Sequence, residues 1–313
     1  MTLKNRLNGF LKTMVTSLLS LSKSGSSLST SASTSPVVKL YSLQSMTLNK
    51  KLQLNPNKKL RIIHLIRHAE GYHNVNKDYK NPAHIDAELT PNGIRQCQAL
   101  SEQLRLKLLE KSGKEKDEEW NDHLFRVQCI ISSPMRRALQ TAQHSFEHQL
   151  RLNNQNNDNN EEDESLSSRI PIVACEAWRE TVNYLCDKRL PTSQLCHYFP
   201  FVDFEQLIQS QHENDPIWDK YEAIYGTHDA YTKRRESVDD DGLRQRAQLA
   251  WEFLKHRPES NIAVVSHSAF FMHMFTRKEI GVVMYENEEV EKEMTERPFE
   301  NCEMRSIAFE ILD

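Results

Sequence analysis

The stretch Leu60-Arg61-Ile62-Ile63-His64-Leu65-Ile66, followed at once by Arg67-His68-Ala69-Glu70-Gly71, decides the fold class of this 313-residue chain. Its β-branched and aliphatic residues run together without polar alternation, which suits a strand buried on both faces, as in a parallel sheet. A polar loop separates it from Thr90 and Pro91, an N-cap and first helical residue that open a helix running past Leu100 to about Glu110. Val127 to Ile131 is a second apolar strand, followed by Ser132-Ser133-Pro134 and a helix from about Met135 to Leu152. Ile172 to Ala174 and Ile262 to Val265 supply further strands, and Gly242 to His256 and Ala269 to Phe275 further helices. The alternation predicts an α/β fold: a three-layer, doubly wound, mostly parallel sheet with helices on both faces. Its ligand site is expected beyond the carboxyl ends of the strands.

Working outward, hydrophobic residues make up 38% of the chain, below the usual share for a compact domain, so polar tails or insertions dilute a normal core. Residues 1–58 read as a disordered, transit-peptide-like extension and residues 59–313 as the folded domain. Met1 to Ala69 contains no Asp or Glu, while Lys4, Arg6, Lys12, Lys23 and Lys39 are spread through a segment rich in Ser and Thr. Apolar residues from Leu7 to Leu19 recur at helical spacing, predicting a basic amphipathic helix over Leu3 to Leu21. This composition points to a mitochondrion or plastid; without such an address the chain would be cytoplasmic. Lys111 to Asp122, Asn153 to Ser168 and Tyr285 to Glu296 read as polar interruptions, the middle one a flexible insertion. A net charge of -4 creates no field that would gather nucleic acid or anionic membrane, so anion binding must come from a local pocket. The six cysteines form no C-x-x-C pair and fit a reducing compartment. No apolar run reaches the roughly 18 residues of a transmembrane helix. Oligomeric state is not legible.

The strand ends carry chemistry. Arg67 and His68 follow the first strand, Ser132 to Arg137 the second, Glu176 and Glu180 the third, and Ser266-His267-Ser268 the fourth. Arginines and imidazoles converging at one sheet edge ask for an anion, and a phosphoryl group suits them. Its transfer needs positive donors around the equatorial oxygens and a nucleophile in line with the leaving group. A neutral imidazole attacks phosphorus through one ring nitrogen when a hydrogen bond holds the other as N–H. Nearby arginines oppose its protonation, and a carboxylic acid can protonate the leaving oxygen. Thirteen histidines raise a metal site as a rival, but His64 and His68 fall on a strand and its exit rather than on a shared helical face, and no cysteine cluster assists. No metal and no cofactor is expected; the expected partner is a small phosphorylated substrate.

Leu-Ile-Arg-His-Ala-Glu-Gly with Asn74 resembles the R-H-G-E-x-x-x-N signature of the histidine phosphatase superfamily, phosphoglycerate mutase-like branch. Leu89-Thr90-Pro91-Asn92-Gly93, Ser132-Ser133-Pro134-Met135-Arg136-Arg137-Ala138-Leu139-Gln140-Thr141-Ala142, Arg179-Glu180-Thr181 and Val264-Val265-Ser266-His267-Ser268 match in order. The resemblance spans roughly Lys59 to Leu312. Cys186-Asp187-Lys188-Arg189, Phe199-Pro200 and Asn301-Cys302-Glu303-Met304-Arg305-Ser306 further resemble plant and fungal phosphoglycerate mutase-like proteins.

The resemblance implies that His68 is the phosphorylated nucleophile, that Arg67, Arg137 and His267 grip phosphoryl oxygens, that Asn74 adds a polar contact, and that Glu180 is the proton donor. Glu176 rivals Glu180, with a surface carboxylate as its bland role, and Arg136 rivals Arg137, although the Arg-Ala-x-x-Thr context favours Arg137. Lys188 and Arg189 are expected to line the mouth and select an acidic substrate; a solvated basic turn is the alternative. Ala69 stands where many members have Gly. The Glu-Arg-x-Tyr-Gly segment of true mutases is absent, the chain reading Arg179-Glu180-Thr181-Val182-Asn183-Tyr184 instead. A phosphomonoester hydrolase is therefore expected, with a mutase and a catalytically inactive phospho-ligand-binding protein as alternatives. Loss of His68, Arg137, Glu180 or His267 would mark the inactive protein, and none is missing.

Overall fold

The computed structural model describes residues 37–45, 60–109, 124–150, 170–226, 236, 241–276 and 281–312. The expected amphipathic helix and the insertion at 153–168 lie outside the described residues. The strands are β1 (Val38–Tyr41), β2 (Arg61–Arg67), β3 (Cys129–Ser132), β4 (Ile172–Ala174), β5 (Val202–Asp203), β6 (Asn261–Ser266), β7 (Val283–Tyr285) and β8 (Met304–Ile311). They form one sheet in the order β5-β4-β3-β6-β2-β8-β1-β7. Strands β5, β4, β3, β6 and β2 run parallel, whereas β8 is antiparallel to both β2 and β1.

The apolar run of β2 is buried at every position except Arg67, which is half-buried, because helices cover both faces of the sheet. On one face Ile63 and Leu65 join Ala247, Ala250 and Trp251 of α6 (Asp241–Lys255) and Phe270 and Met274 of α7 (Ser268–Thr276). On the other, Ile66 joins Leu100 and Leu104 of α1 (Pro91–Leu109) and Ala138 and Leu139 of α2 (Arg136–Ser145). Each such aliphatic side chain contributes about 1.5–3 kcal/mol when fully buried. Short helices complete the order: α3 (Thr192–Tyr198), α4 (Glu205–Gln209), α5 (Pro216–Tyr225) and α8 (Glu288–Thr295). No helix among the described residues is long and apolar enough to cross a membrane.

Two expectations are corrected. The sheet begins before residue 59: β1 lies between β8 and β7, pairing Val38 with Ile311 and Leu40 with Phe309, and both Val38 and Leu40 are fully buried. The long β8 offers an edge beyond β2, and a four-residue strand inside an acid-free, Ser-rich segment satisfies it. Tyr285 to Glu296 is likewise no mere interruption. The Asn287 side chain accepts from the Val290 amide at 3.0 Å and caps α8, whose first turn carries Glu288, Glu289 and Glu291, where the helix dipole favours negative charge. Val290 and Met294 are buried beneath it.

The loop leaving β2 is clamped to the start of α1. Thr90 Oγ1 accepts from the Gly93 amide at 2.9 Å and donates to Glu70 Oε1 at 2.6 Å, and the Thr90 amide donates to Glu70 O at 2.9 Å. Gly93 lies so close that a Cβ there would sit 2.2 Å from Glu70 O. Gly93→Ala should therefore destabilise the protein by about 1–3 kcal/mol through overpacking against backbone, a fall in Tm of roughly 3–10 °C. A thermal melt indistinguishable from the native protein would refute this contact.

Candidate active site

Register brings the strand ends to one level: Arg67 pairs with Ser266, Ser132 with Val265, and Ser132 with Ala174. His68 leaves β2 there, 2% exposed, its amide donating to Ser266 O at 2.9 Å. Its Nδ1 lies 2.7 Å from Ala69 O. A carbonyl can only accept, so Nδ1 carries the hydrogen and Nε2 keeps its lone pair. Burial, then Arg137, His73 and Arg67, hold the imidazole well below its ordinary pKa, so it is neutral at pH 7.

Arg137 is 1% exposed, donating from Nη1 to Cys186 O at 2.9 Å and pairing through Nη2 with Asp187 Oδ1 at 3.4 Å. Arg67 donates from Nη1 to Phe299 O at 2.8 Å. The His267 ring lies 5.0 Å from that of His68, with Nε2 at 2.7 Å from Ser133 Oγ. The His73 ring lies 5.4 Å from His68 on the other side, and burial followed by the two arginines lowers it to about 2. In these four side chains a buried nitrogen has no hydrogen-bond partner: Arg67 Nε, Arg137 Nε, His73 Nδ1 and His267 Nδ1. An unmet buried polar group costs about 1–3 kcal/mol. A group rich in acceptor oxygens meets that demand, and two guanidiniums make an anion the preferred one.

Glu180 is half-buried at the N-terminus of α7. Its Oε1 accepts from the Phe270 amide at 2.9 Å and the Thr181 amide at 2.8 Å, and its Oε2 from the Ala269 amide at 3.3 Å. Glu176, its sequence rival, is neither a surface carboxylate nor available for catalysis. It is 1% exposed, with Oε1 bound by Arg189 Nε at 2.5 Å and Oε2 by Arg179 Nη1 at 3.4 Å, while Arg179 also bonds Asp215. The choice between neighbouring arginines resolves as well. Arg136 turns outward to Asp86 O and Glu88 Oε1, at 2.7 and 2.9 Å.

The expectation for Arg189 is overturned. It is 2% exposed, and all three of its nitrogens are engaged, by Glu176 and by the carbonyls of Leu190, Glu213, His212 and Asn214. Lys188 lies with Nζ 5.5 Å above the Trp218 ring. Asn74 shapes the loop, accepting from the Gly71 amide at 3.0 Å beside Asn301.

Sequence reasoning missed His73 and Asp187 as pocket residues. In the fold Gly71 makes room for the first, since a Cβ there would lie 2.8 Å from the His73 ring atoms. Asp187 accepts from the amides of Tyr184 and Asn183 at 2.9 and 3.2 Å, and burial, with Glu180 adding to it against Arg137, raises it to about 6. Among the described residues no group of three or more His, Cys, Asp or Glu is placed to hold a metal ion.

Residues 63–156 match the model of the histidine phosphatase superfamily (branch 1). The chain is 31% identical to phosphoglycerate mutase-like protein 1 of Arabidopsis thaliana, over 81% of this chain and 83% of that protein. It is 29% identical to a second Arabidopsis thaliana phosphoglycerate mutase-like protein, over 83% and 88% respectively. A probable phosphatase of Schizosaccharomyces pombe is 26% identical over 66% of this chain and 73% of that protein.

The buried network gives a test of the Arg189 assignment. Arg189→Ala strands Glu176 and four carbonyls, so chemical denaturation should report a loss of about 3–5 kcal/mol. Unchanged stability together with a raised KM would return Arg189 to the substrate mouth.

Proposed function

The chain belongs to the histidine phosphatase superfamily (branch 1), among the phosphoglycerate mutase-like proteins, and on that premise we propose that it is a phosphomonoester hydrolase acting through a phosphohistidine on His68. The observation that carries this reading is the fixed tautomer of His68: Nδ1–H is spent on Ala69 O at 2.7 Å, and Nε2 is left as a neutral nucleophile among Arg67, Arg137 and His267.

In the first step Nε2 bonds to phosphorus and the P–O ester bond breaks. Glu180, in its carboxylic acid form, gives its proton to the departing oxygen. In the second, the Glu180 carboxylate takes a proton from water, which attacks phosphorus; the P–N bond breaks, and inorganic phosphate leaves His68 as it began. Arg67, Arg137 and His267 hold the equatorial oxygens throughout, which supplies the charge stabilisation that phosphoryl transfer requires. Neither step calls on a metal or cofactor. The names of the Arabidopsis relatives favour one second reading, a mutase, in which phosphohistidine returns its group to a substrate hydroxyl instead of to water.

His68→Ala should lower turnover of 4-nitrophenyl phosphate by about 10⁴-fold or more, and normal turnover would end the proposal. With Glu180→Gln, alkyl phosphates should slow by about 10²–10⁴-fold, while nitrophenyl phosphate, whose leaving group needs no proton, slows far less. Equal slowing would remove the acid role. Activity should survive excess chelator, and release of inorganic phosphate from 3-phosphoglycerate, set against isomerisation in the same assay, separates hydrolase from mutase.

The pH dependence follows from the depressed pKa of His68. The deprotonated, nucleophilic form persists as pH falls through the ordinary value of 6.5. Phosphohistidine formation in alkaline-quenched single turnovers should therefore not titrate away around pH 6.5. A loss centred there would show His68 to be an ordinary imidazole.

A further inference from the structure

Cys97 on α1 and Cys302 in the turn before β8 lie with their sulfurs 4.0 Å apart. Both are free and buried, Cys302 8% exposed. Ser145 Oγ of α2 is 3.8 Å from Cys302 Sγ. The same turn suspends the nucleophile. The Cys302 amide donates to Arg67 O at 3.1 Å and His68 O at 3.3 Å, Asn301 Nδ2 donates to His68 O at 3.1 Å, and the Arg67 amide donates to Glu303 O at 3.1 Å. The Arg67 guanidinium is anchored four residues before Glu303, at Phe299 O. Cys302 itself holds a left-handed φ of 61°, a conformation costing about 1–2 kcal/mol outside glycine. From the other side, Thr141 Oγ1 on α2 accepts the Ala69 amide at 3.0 Å, and Ala69 O in turn orients His68.

We propose that Cys97 and Cys302 are an oxidation site, at which a hydroperoxide closes a disulfide that displaces the 299–303 turn and stops transfer to His68. A disulfide needs its sulfurs at about 2.05 Å, so the pair must close by about 2 Å. Cys97 is set within a long helix packed on the sheet and Cys302 in a turn, so the turn yields. The carbonyls of Arg67 and His68 and the Arg67 guanidinium then lose their fixed partners, and a displacement of about 1 Å at a reacting group costs about 10²-fold in rate.

The chemistry balances. The peroxide O–O bond breaks, one oxygen becoming the hydroxyl of a sulfenic acid on Cys97 Sγ, while the other leaves as alcohol or water with the thiol proton. Cys302 Sγ then attacks Cys97 Sγ, forming S–S and releasing the hydroxyl as water with the second thiol proton. Both sulfurs are oxidised and the peroxide is reduced. The hydrogen bond from Cys302 draws the Cys97 thiol below its ordinary pKa, which favours it as the thiolate that meets the peroxide, whereas the same hydrogen bond and burial push Cys302 well up, and burial pushes Cys129 and Cys175 up to about 12.

The experiment treats the full chain with hydrogen peroxide, follows 4-nitrophenyl phosphate turnover, and maps peptides without reduction. The expected result is a Cys97–Cys302 cross-linked peptide that rises as turnover falls about 100-fold, both reversed by dithiothreitol. Cys97→Ser and Cys97→Ala should start at full activity and show no dithiothreitol-reversible loss. A cross-linked protein with full turnover overturns the proposal, as does reversible inactivation without that peptide or equal inactivation of both variants. The inference rests on the phosphatase reading only for its activity readout. Reduced protein that hydrolyses no phosphate ester would sink that reading, and the peptide map would still decide whether the thiols pair.

Discussion

His68 sits one residue beyond the end of β2, and its peptide is gripped from both neighbouring strands. Its amide donates to Ser266 at the end of β6, and its carbonyl accepts from Cys302 and Asn301 just before β8. One neighbour is parallel and the other antiparallel, so the strand can neither slide nor rotate without breaking a ladder on each side. A one-residue slip would carry His68 to the opposite face of the sheet. Everything the pocket does depends on that register: it puts Ser133, Arg137 and His267 at the same level as His68.

The site is dense with cationic groups, and the fold keeps the imidazoles among them neutral. Burial is the largest influence on His68, His73 and His267, with Arg137 next for each. The cost appears on the acid side. Each of these histidines has a folded pKa below its unfolded value of 6.5, so the unfolded chain binds more protons below that pH. The stability they allow is complete above pH 6.5 and drains away as pH falls towards the folded values, at about 1.4 kcal/mol per unit for each group. Neutral histidines beside fixed arginines also avoid the mutual repulsion that a protonated cluster would add.

How much of this could be read in advance depended on whether the deciding interaction was local. Strand β2, the Thr90 cap and the exit histidines announce themselves because burial on two faces, capping and carboxyl-end placement each leave a mark within a few residues. Strand β1 did not: Val38 and Leu40 owe their burial to β8, some 270 residues away, and their own neighbours resemble a polar tail. Glu176 and Glu180 are four apart and looked interchangeable. A turn of 3₁₀ helix over Glu176–Trp178 followed by extended backbone sends them to different places, one into an arginine pair and one onto the amides of α7. Arg189 misled for the reverse reason. A Lys-Arg pair beside an Asp looks solvated, and only the folded chain shows that carbonyls from residues 212–214 converge on the second of them.

The molecule divides its labour between the sheet and one connection. The groups around His68 lie at strand ends and are fixed by the sheet. Glu180 and Asp187, by contrast, belong to the connection after β4, which is braced by ion pairs rather than by a ladder. Arg179 and Arg189 hold it to Asp215 and Glu176, and Arg246 of α6 clasps Glu236, whose carboxylate accepts the Val182 amide at 3.0 Å. Buried ion pairs add little net stability but tolerate few alternative geometries, because any unpaired member is costly. The connection can therefore hold the Glu180 carboxylate fixed on the amides of α7 while its outer residues, Tyr184 and Lys188, vary without disturbing His68.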